Sequence, residues 1–591
     1  MAKNEKSSSF ERLIEIGIAL SAEQDTDRLM ETILLEAKDL ANADGGTLYL
    51  ATKDNCLKFE IMRTDSLNIA MGGTTGKEIT FPPVSLVDPE TGKENRANVA
   101  SCAALTGQSI NIPDAYDSQE FDFTGTKKFD EGTGYRSKSF LTVPLKNSTD
   151  DIIGVLQLLN AQDTDSGDVI PFSGDIQPLI EALASQAALA LDNKQLLDAQ
   201  KLLLDSFIEL IASAIDAKSP YTGGHCQRVP ELTKMLARAA CDAKDGPFAD
   251  FDLSEDDWYE LNISALLHDC GKVTTPEYVV DKATKLETIY DRIHEVRTRF
   301  EVVKREAEID YYKALVDGKG DPDKLKAGLE ERLAKLDDDY AFIAECNLGG
   351  EFMAPEKIDR VKEIAELTWT RTLDDRIGVS HDELKRKERT PSPILPVVEN
   401  LLSDRGDHVI YREEEQVVAQ DGTYGFKLDV PELKFNLGEI YNLSIARGTL
   451  TAEERFKIND HIVQTIVMLQ QLPFPEHLKR VPEYAGGHHE KMDGSGYPRK
   501  LNRDDMSIPA RIMAIADIFE ALTAADRPYK LPKKLNESVK IMSFMKKDAH
   551  IDGELFELFL TSGVYREYAE NFLNEDQIDE VDISAYLGKG D

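Results

Sequence analysis

The chain has 591 residues, of which 41% are hydrophobic and 30% charged, and its formal net charge at pH 7 is −39. This length exceeds what one hydrophobic core usually supports, so two or three domains are expected. The negative charge argues against DNA and anionic membranes as partners. There is no run of about 18 apolar residues and no apolar signal core at the N-terminus, and the six cysteines form no CxxC pair. These features predict a cytoplasmic protein with free thiols.

After a polar tail over residues 1–9, the sequence predicts an α+β domain. Apolar residues recur at helical spacing over residues 10–42. Strand-like runs follow at 45–51 (GGTLYLA), 139–145 (SFLTVPL) and 152–161 (IIGVLQLLNA). A helix, antiparallel strands and a closing helix in this order suggest a sensor-like domain.

An unbroken helix is predicted over residues 180–215, because apolar residues alternate at spacings of three and four without Gly or Pro. Lys194 and Lys201 interrupt this heptad seam, and their ammonium groups must extend outward or face a mirrored lysine. One interpretation is a helix that flanks the core of each domain. We favour the other, a signalling helix that forms a homodimer and couples the two domains.

Histidine is scarce, with ten in the chain, yet five of the ten lie in segments that also carry acids or turns. The stretch 486–498 (GGHHEKMDGSGYP) holds His488 and His489. Adjacent histidines in a helix point about 100° apart, so both face one metal only at a helix end or kink. Asp517 lies in the apolar run IMAIADIFEAL, where an unpaired buried carboxylate would be costly. Each residue alone fits a structural role, but the joint pattern favours a metal site.

HDCGK at 268–272 together with HHEKMDGSGYP at 488–498 resembles the HD-GYP branch of the HD-domain phosphohydrolases. The resemblance implies an all-α domain in two parts, 205–282 and 445–560, followed by an acidic C-terminal segment at 561–591. Residues 283–444 are then a large, mostly helical insertion with a hairpin-like stretch at 421–433 (DGTYGFKLDVPEL). His294 and His461 compete for one family position, and the match of GTLTAEERFKINDH selects His461.

Carried over by motif, the resemblance implies seven metal ligands: His225, His268, Asp269, His461, His488, His489 and Asp517. It implies two divalent ions, Fe or Mn, bridged by Asp269, with His225, His268 and Asp517 around one and His461, His488 and His489 around the other. Some family members hold a third ion through a Glu at the position of Tyr221. The catalytic residues would be His268, Asp269 and Lys272, and the substrate would meet Lys272, Tyr497, Arg527 and Lys530.

The activity implied by the resemblance is hydrolysis of cyclic di-GMP, a bacterial second messenger, to linear pGpG, GMP or both. Two alternatives stay open: a non-catalytic receptor that binds the dinucleotide and signals to a protein partner, and a phosphohydrolase of another nucleotide such as cyclic GMP-AMP. Two departures from the family pattern bear on the substrate. Arg499 and Lys500 follow GYP, and TAADRPY carries one extra residue.

Residues 10–192 resemble a GAF domain through FDEGTGYRSKSFLTVPL (129–145), IIGVLQLLNA and EALASQAALALDN (181–193). The nucleotide-binding pattern of phosphodiesterase GAF domains is incomplete: Asn160 and Phe172 are present, but Ala161 replaces Lys and Ile176-Gln177 occupy the Asp-Glu positions. An unknown small-molecule ligand and a purely dimerising role stay open. The predicted fold is multidomain, with an α+β GAF sensor domain, a long connecting helix and an all-α HD-GYP domain carrying the insertion.

Overall fold

The computed structural model describes residues 2–88, 91–218, 224–413, 422–525 and 532–587, and of residues 2–10 only the backbone. The chain divides into two compact units, Met1–Asp205 and Ser206–Asp591. The first is built on an antiparallel sheet and the second is mostly helical, which confirms the predicted multidomain fold class. Within these ranges no helix is both long enough and apolar enough to cross a membrane.

The first unit combines helices with one antiparallel sheet. Its strands are β1 (Ala43–Ala51), β2 (Cys56–Thr64), β3 (Ile69–Gly72), β4 (Val84–Ser85), β5 (Ile110–Ile112), β6 (Phe140–Lys146), β7 (Ile152–Gln162) and β8 (Val169–Ile170). Its helices are α1 (Ala2–Ala22), α2 (Thr26–Ala41), α3 (Val99–Thr106), α4 (Thr124–Thr133) and the start of α5 (Gln177–Lys218). The strand order is β3-β2-β1-β7-β6-β5, with β4 paired to β2 and β8 to β7.

The main core of the first unit is made by α1, α2, the first turns of α5 and the sheet. Successive residues of β7 point to opposite faces of the sheet. Leu156 packs in the main core, and Val155 packs in a second cluster with residues of α3. The single helix predicted over 10–42 is wrong. Helix α1 ends at Ala22, and α2 begins after Asp25, whose side chain accepts the Arg28 N–H as an N-cap.

Helix α5 covers the segment predicted as the connecting helix. Its ends are buried in different cores, Ile180 in the first unit and Ile215 in the second. Between them lies a row of apolar side chains that are 36–63% exposed: Leu196, Leu197, Leu203, Leu204, Phe207, Leu210 and Ile211. Both ends therefore flank domain cores, while the middle presents an apolar surface whose role in dimerisation stays a prediction.

The second unit continues from the end of α5. Its helices are α6 (His225–Asp242), α7 (Glu255–Leu267), α8 (Glu277–Val280), α9 (Ile293–Val316), α10 (Pro322–Asn347), α11 (Pro355–Ala365), α12 (His381–Lys387), α13 (Glu439–Leu443), α14 (Ala452–Gln470), α15 (Val481–Gly486), α16 (Ile508–Thr523), α17 (Leu535–Lys547), α18 (Gly553–Thr561) and α19 (Val564–Phe572). Two short antiparallel pairs join β9 (Thr368–Arg371) to β10 (Val397–Asn400) and β11 (Val409–Tyr411) to β12 (Leu433–Asn436).

Separate cores stabilise the parts of the second unit. One surrounds Phe519 and is made by α6, α7 and α16–α19, so it extends beyond residue 560, the predicted domain end. Another surrounds Ile343 and draws its residues from Leu286 to Leu443, within the segment predicted as an insertion. The boundaries of that insertion stay a prediction.

The hairpin predicted over residues 421–433 is wrong for the part that the structure describes. Residues 422–432 form no strand, and β12 begins only at Leu433. Gly422 and Gly425 have φ of 74° and 69°, outside the β region, and Pro431 has no N–H to donate. The segment is therefore an irregular connection between β11 and β12.

A close contact joins the short 3-10 helix Cys270–Thr274 to α14. Gly271 donates its N–H to Thr465 Oγ1 at 2.9 Å, and a Cβ at Gly271 would overlap the carbonyl oxygen of His461. Because only glycine fits, the turn that follows Asp269 can approach the helix that carries His461.

We expect Gly271→Ala to lower the free energy of unfolding by about 2–3 kcal/mol, because the added methyl group forces these elements apart. Urea and thermal unfolding followed by circular dichroism measure the change. Gly328→Ala is the matched control, since its Cβ would meet no atom within 4 Å of its exposed position in α10. Equal stability of the two variants would contradict this packing.

Candidate metal centre

Seven side chains from separate elements of the second unit meet at one place. His225 begins α6, His268 follows α7, Asp269 precedes the 3-10 helix, His461 lies in α14, His488 and His489 follow α15, and Asp517 lies in α16. These are the residues that the motifs implied as metal ligands. The adjacent histidines stand just after a helix end, where both rings can turn toward one centre.

Asp269 is at the middle of the group and is only 2% exposed. Its Oδ2 lies 3.2 Å from Nε2 of both His225 and His268, and its Oδ1 lies 3.3 Å from Nε2 of His461. The ammonium of Lys272 lies 2.5 Å from Oδ2. Both carboxylate oxygens thus face imidazole nitrogens on different sides, as a bridging ligand requires.

His225 is held by carboxylates on both ring nitrogens. Its Nε2 lies 3.4 Å from Asp517 Oδ1, and its Nδ1 lies 2.5 Å from Oε2 of Glu520, which is 1% exposed. Arg228 donates from Nε to the other Glu520 oxygen at 2.8 Å. Burial lowers the pKa of His225, but its three carboxylate partners outweigh burial and raise the pKa well above its usual value.

Three of the imidazoles are oriented by backbone carbonyls of their own helices. In His268, His461 and His488, Nδ1 lies 2.5–2.7 Å from the carbonyl oxygen three residues earlier. With the proton on Nδ1, Nε2 keeps its lone pair and points to the centre. Within the described ranges the buried Nε2 of His488 has no hydrogen-bond partner.

Imidazole nitrogens also face one another directly. Nε2 of His268 lies 3.3 Å from Nε2 of His225, and Nε2 of His489 lies 3.2 Å from Nε2 of His461. Where both nitrogens carry a lone pair, they repel at this distance, and a bound cation or a proton on one of them removes the repulsion. Together with the unsatisfied nitrogen of His488, these pairs fit bound divalent ions.

The ligand atoms fall into overlapping sets. Among the residues with described side chains, three sets place metal-ligating atoms within 4.8 Å of one another: His461, His488 and His489; His225, His268 and Asp517; and His268, Asp269 and His488. His268 and His488 each belong to two sets. The centre therefore offers ligands for more than one ion.

The pKa shifts of Asp269, His488 and His489 favour the protonation states that bind metal. Burial would raise the pKa of Asp269, but Lys272 and His268 lower it well below its usual value. Burial and the neighbouring His268 lower the pKa of His488 to about 4, and burial and His488 lower the pKa of His489 as well. An ionised carboxylate and neutral imidazoles are the forms that bind metal.

Residues in the last helical turn of α5 form hydrogen bonds with the backbone of two segments at the centre, one around His225 and one at residues 272–275. Asp216 accepts the N–H groups of Gly224 and Cys226, which flank His225, at 3.1 and 3.2 Å. Lys218 donates from Nζ to three carbonyl oxygens within residues 272–275 at 2.6–2.7 Å. The end of the connecting helix therefore contacts the backbone on both sides of His225 and the turn that carries Lys272.

Tyr497 lies in the loop after the histidine pair. Its ring stacks on His489, with centroids 4.9 Å apart and planes at 20°, and its N–H donates to the His489 carbonyl oxygen at 3.2 Å. Glu490, 1% exposed, accepts the N–H groups of Arg499 and Leu501 at 2.6 and 2.9 Å. The loop thus folds back over the histidine pair.

Several supporting residues escaped the sequence reasoning. Glu520 follows Asp517 by one helical turn in the same apolar run, so the cost of burying a carboxylate also pointed to it. Glu490, directly after the histidine pair, carried no such signal. Asp216 and Lys218 act through contacts with distant backbone, which no local pattern predicts.

Some predicted residues lie elsewhere. Arg527, Lys530 and Tyr221 lie outside the described residues. His294 is exposed on α9, 3.2 Å from Arg297, and belongs to none of the ligand sets.

The GAF-like positions of the first unit have structural roles. Asn160 Oδ1 accepts the N–H groups of Lys138 and Ser139 at 2.7 and 3.2 Å, and Phe172 is buried in the core. A separate cavity of about 240 Å³ is lined mainly by apolar and aromatic side chains, including Tyr49, Phe59 and Phe123.

Two family models match the chain. Residues 25–191 match the GAF domain, and residues 396–555 match the HD domain. The chain carries a GAF domain and an HD domain. The HD match includes His461 and Asp517 but begins after Asp269, so that aspartate reaches the centre from outside the matched range. The GAF domain of an Acinetobacter phosphoenolpyruvate-protein phosphotransferase is 12% identical with a TM-score of 0.24, over 32% of this chain and 98% of that chain.

Curated relatives are similar to part of the chain. It is 40% identical over 113 residues to 3'3'-cGAMP-specific phosphodiesterase 1 of Vibrio cholerae, covering 19% of this chain and 25% of that protein. It is 32% identical over 154 residues to a cyclic di-GMP phosphodiesterase of Thermotoga maritima, covering 24% and 41%. A probable cyclic di-GMP phosphodiesterase of V. cholerae is 31% identical over 141 residues, covering 23% and 32%. The chain spans less than half the length of each relative.

We expect Asp269→Ala to abolish binding of metal at the centre, because the carboxylate lies 3.2–3.3 Å from imidazole nitrogens of His225, His268 and His461 and would be shared by both ions. Elemental analysis of anaerobically purified protein measures the metal content, and circular dichroism checks the fold. His294→Ala is the control and should keep the wild-type metal content. Unchanged metal in Asp269→Ala would contradict a bridging role for this residue.

Proposed function

We propose that the protein is a metal-dependent phosphodiesterase that hydrolyses cyclic di-GMP to pGpG, GMP or both. One observation carries this proposal: a buried carboxylate, Asp269, lies between imidazoles on both sides with an ammonium, Lys272, beside it. This arrangement combines metal ligands with a cation suited to phosphate. The GAF domain would regulate the reaction.

The donor set of imidazoles and carboxylates suits divalent ions such as Fe, Mn or Zn, and the resemblance to the HD-GYP branch favours two ions of Fe or Mn. His225, His268, Asp269 and Asp517 would hold one ion, and Asp269, His461, His488 and His489 the other. Such ions, when bound, supply an activated water and stabilise negative charge on phosphodiester oxygens.

The reaction breaks the bond between phosphorus and the ribose 3′ oxygen as a water oxygen bonds to phosphorus. Lys272 supports this step from its place beside Asp269. Burial lowers the pKa of Lys272, but Asp269 outweighs burial and raises it, so the ammonium stays charged. It can therefore bind a phosphate oxygen or donate a proton to the departing 3′ oxygen.

Substrate orientation would come from the loop after the histidine pair. The Tyr497 ring is stacked on His489 and partly exposed, and an aromatic ring in this place can stack on a nucleobase. Arg527 and Lys530 stay predicted phosphate contacts on the strength of their motif alone.

A second candidate substrate is 3'3'-cGAMP. The observation that favours it is the 40% identity to a relative named for that substrate, against 32% for the Thermotoga cyclic di-GMP enzyme. Both dinucleotides carry the same phosphodiester bonds, so one metal centre serves either. The choice then depends on contacts with the bases.

Regulation would run through α5. This helix starts in the core of the first unit and ends at Asp216 and Lys218, which hold the turns of His225 and Lys272. A ligand in the GAF cavity would bias states that differ in the position of this helix end. A cytoplasmic location and a homodimer stay predictions from the sequence.

We expect anaerobically purified, Fe- or Mn-loaded protein to hydrolyse cyclic di-GMP, as measured by chromatography of pGpG and GMP. Lys272→Met should keep the metal and lower kcat by about 100-fold, because the charged group beside the phosphate is lost. Parallel assays with 3'3'-cGAMP decide between the two substrates by their kcat/KM values.

His294→Ala again serves as the control and should match the wild type in kcat. A metal-loaded protein that binds cyclic di-GMP without turnover would contradict the enzyme and support a receptor. Turnover of neither dinucleotide, with rapid cleavage of another nucleotide, would support a different phosphohydrolase.

We expect the exposed apolar row of α5 to bind a second copy of the chain. Leu203→Lys with Leu210→Lys should raise the dimer Kd by about 100-fold, because each copy would bury two ammonium groups. Sedimentation velocity measures this change. Ile394→Lys, at an apolar site 89% exposed outside α5, is the control. A wild-type monomer, or a dimer unaffected by the double change, would refute the homodimer.

A further inference from the structure

Residues 422–431, here called the strap, belong to the predicted insertion and contact the Tyr497 loop. The N–H of Lys427 donates to the Pro498 carbonyl oxygen at 2.7 Å. Arg499 donates from Nε to the Tyr424 carbonyl oxygen at 3.0 Å, and its guanidinium lies 5.7 Å from the centroid of the Phe426 ring. The strap therefore binds the two residues that follow Tyr497.

Two aromatic side chains in the part of the strap that contacts the Tyr497 loop stack on each other. The rings of Tyr424 and Phe426 stack with centroids 5.4 Å apart and planes at 14°. Arg499 places its planar guanidinium over the Phe426 ring, and a guanidinium packs on aromatic faces better than a lysine ammonium does. Arg499 is also one of the residues by which this loop departs from the HD-GYP pattern.

The other end of the strap is attached near α14. Arg412 donates to the carbonyl oxygens of Pro431 and Leu433, each at 3.3 Å, and lies over the Phe456 ring of α14 at 4.6 Å. Between the two attachments, residues 428–431 border a cavity of about 960 Å³. Lys500 Nζ, in the Tyr497 loop, lies 3.7 Å from Asp429 Oδ2, so the strap contacts this loop at Tyr424, Phe426, Lys427 and Asp429 and contacts Arg412 at Pro431.

Arg499 joins the strap to the interior of the site. Its backbone N–H donates to Glu490, and its side chain binds the strap. Glu490 directly follows His489, on which Tyr497 stacks. A shift of the strap would thus change the position of Tyr497 relative to the histidine pair without altering any metal ligand.

We propose that the strap positions Tyr497 for the substrate and that Arg499 is the positioning residue that connects them. A segment that lies inside the HD match at residues 396–555 then serves substrate recognition at the metal centre. This inference rests on the proposed function for the identity of the substrate. The contact between strap and loop is tested separately, by hydrogen exchange.

The first test compares a nucleotide with a substrate that has no base. Arg499→Ala should raise KM for cyclic di-GMP about tenfold, because stacking on one base contributes about that factor. Its hydrolysis of bis(p-nitrophenyl) phosphate, which uses the metal centre without a nucleobase, should keep the wild-type rate. Arg499→Lys, which keeps the charge but loses the planar group, should give an intermediate KM.

The second test does not depend on activity. Hydrogen–deuterium exchange of the Lys427 amide should become at least about tenfold faster in Arg499→Ala, because its acceptor loop loosens. Lys427→Pro removes this donor and should reproduce the KM change, whereas Lys427→Ala keeps the donor and should retain the wild-type KM.

These outcomes distinguish the claim that the strap positions Tyr497 from the claim that the substrate is cyclic di-GMP. Unchanged exchange and an unchanged KM in Arg499→Ala would overturn the strap proposal, as would equal losses with both substrates. If the wild type cleaves only bis(p-nitrophenyl) phosphate, the proposed substrate is wrong. In that case faster exchange in Arg499→Ala still supports the contact, and unchanged exchange refutes it.

Discussion

The buried charge of Asp269 is the constraint on which the second unit depends. An ionised carboxylate out of water costs several kcal/mol unless cations or hydrogen-bond donors surround it. Here the ammonium of Lys272 is one such cation, and the imidazole nitrogens of His225, His268 and His461 face the two oxygens where bound metal ions would add positive charge. Without the residues that supply or hold these cations the charge would lack compensation, so the elements that carry them are tied to one geometry.

Backbone contacts outside the ligands maintain that geometry. Gly271 lets its turn touch α14, and Lys218 holds the same turn through three carbonyl oxygens. Glu520 and Arg228 fix the ring of His225 from the side opposite Asp269. Such second partners orient a metal ligand and are worth about 10- to 100-fold in metal affinity.

The parts that the sequence predicted well are those with strong local patterns. Strands β6 and β7 lie within a residue of the expected runs, because their apolar residues pack on both faces of the sheet. The seven residues that the motifs implied as metal ligands lie together, and one physical sign of this was a carboxylate in an apolar helix, which is costly without partners. Their binding of metal stays a prediction.

The parts that were missed depend on single side chains or distant contacts. Asp25 divides the first predicted helix by capping its second half, an effect that apolar spacing does not show. Residues 421–433 look like a hairpin in the sequence, but described hydrogen bonds of 422–432 go to Pro498, Arg499 and Arg412 outside the segment. Asp216 and Lys218 look like ordinary helix-end charges until their backbone partners are known.

The central claim is that the seven side chains hold two ions on either side of Asp269. Anomalous X-ray diffraction from anaerobically grown crystals, recorded across the Fe and Mn absorption edges, tests it most directly. The arrangement predicts two anomalous peaks, one beside His225 and His268 and one beside His461 and His489, with Asp269 between them. No peak at this place after Fe or Mn loading, or one peak remote from Asp269, would contradict it.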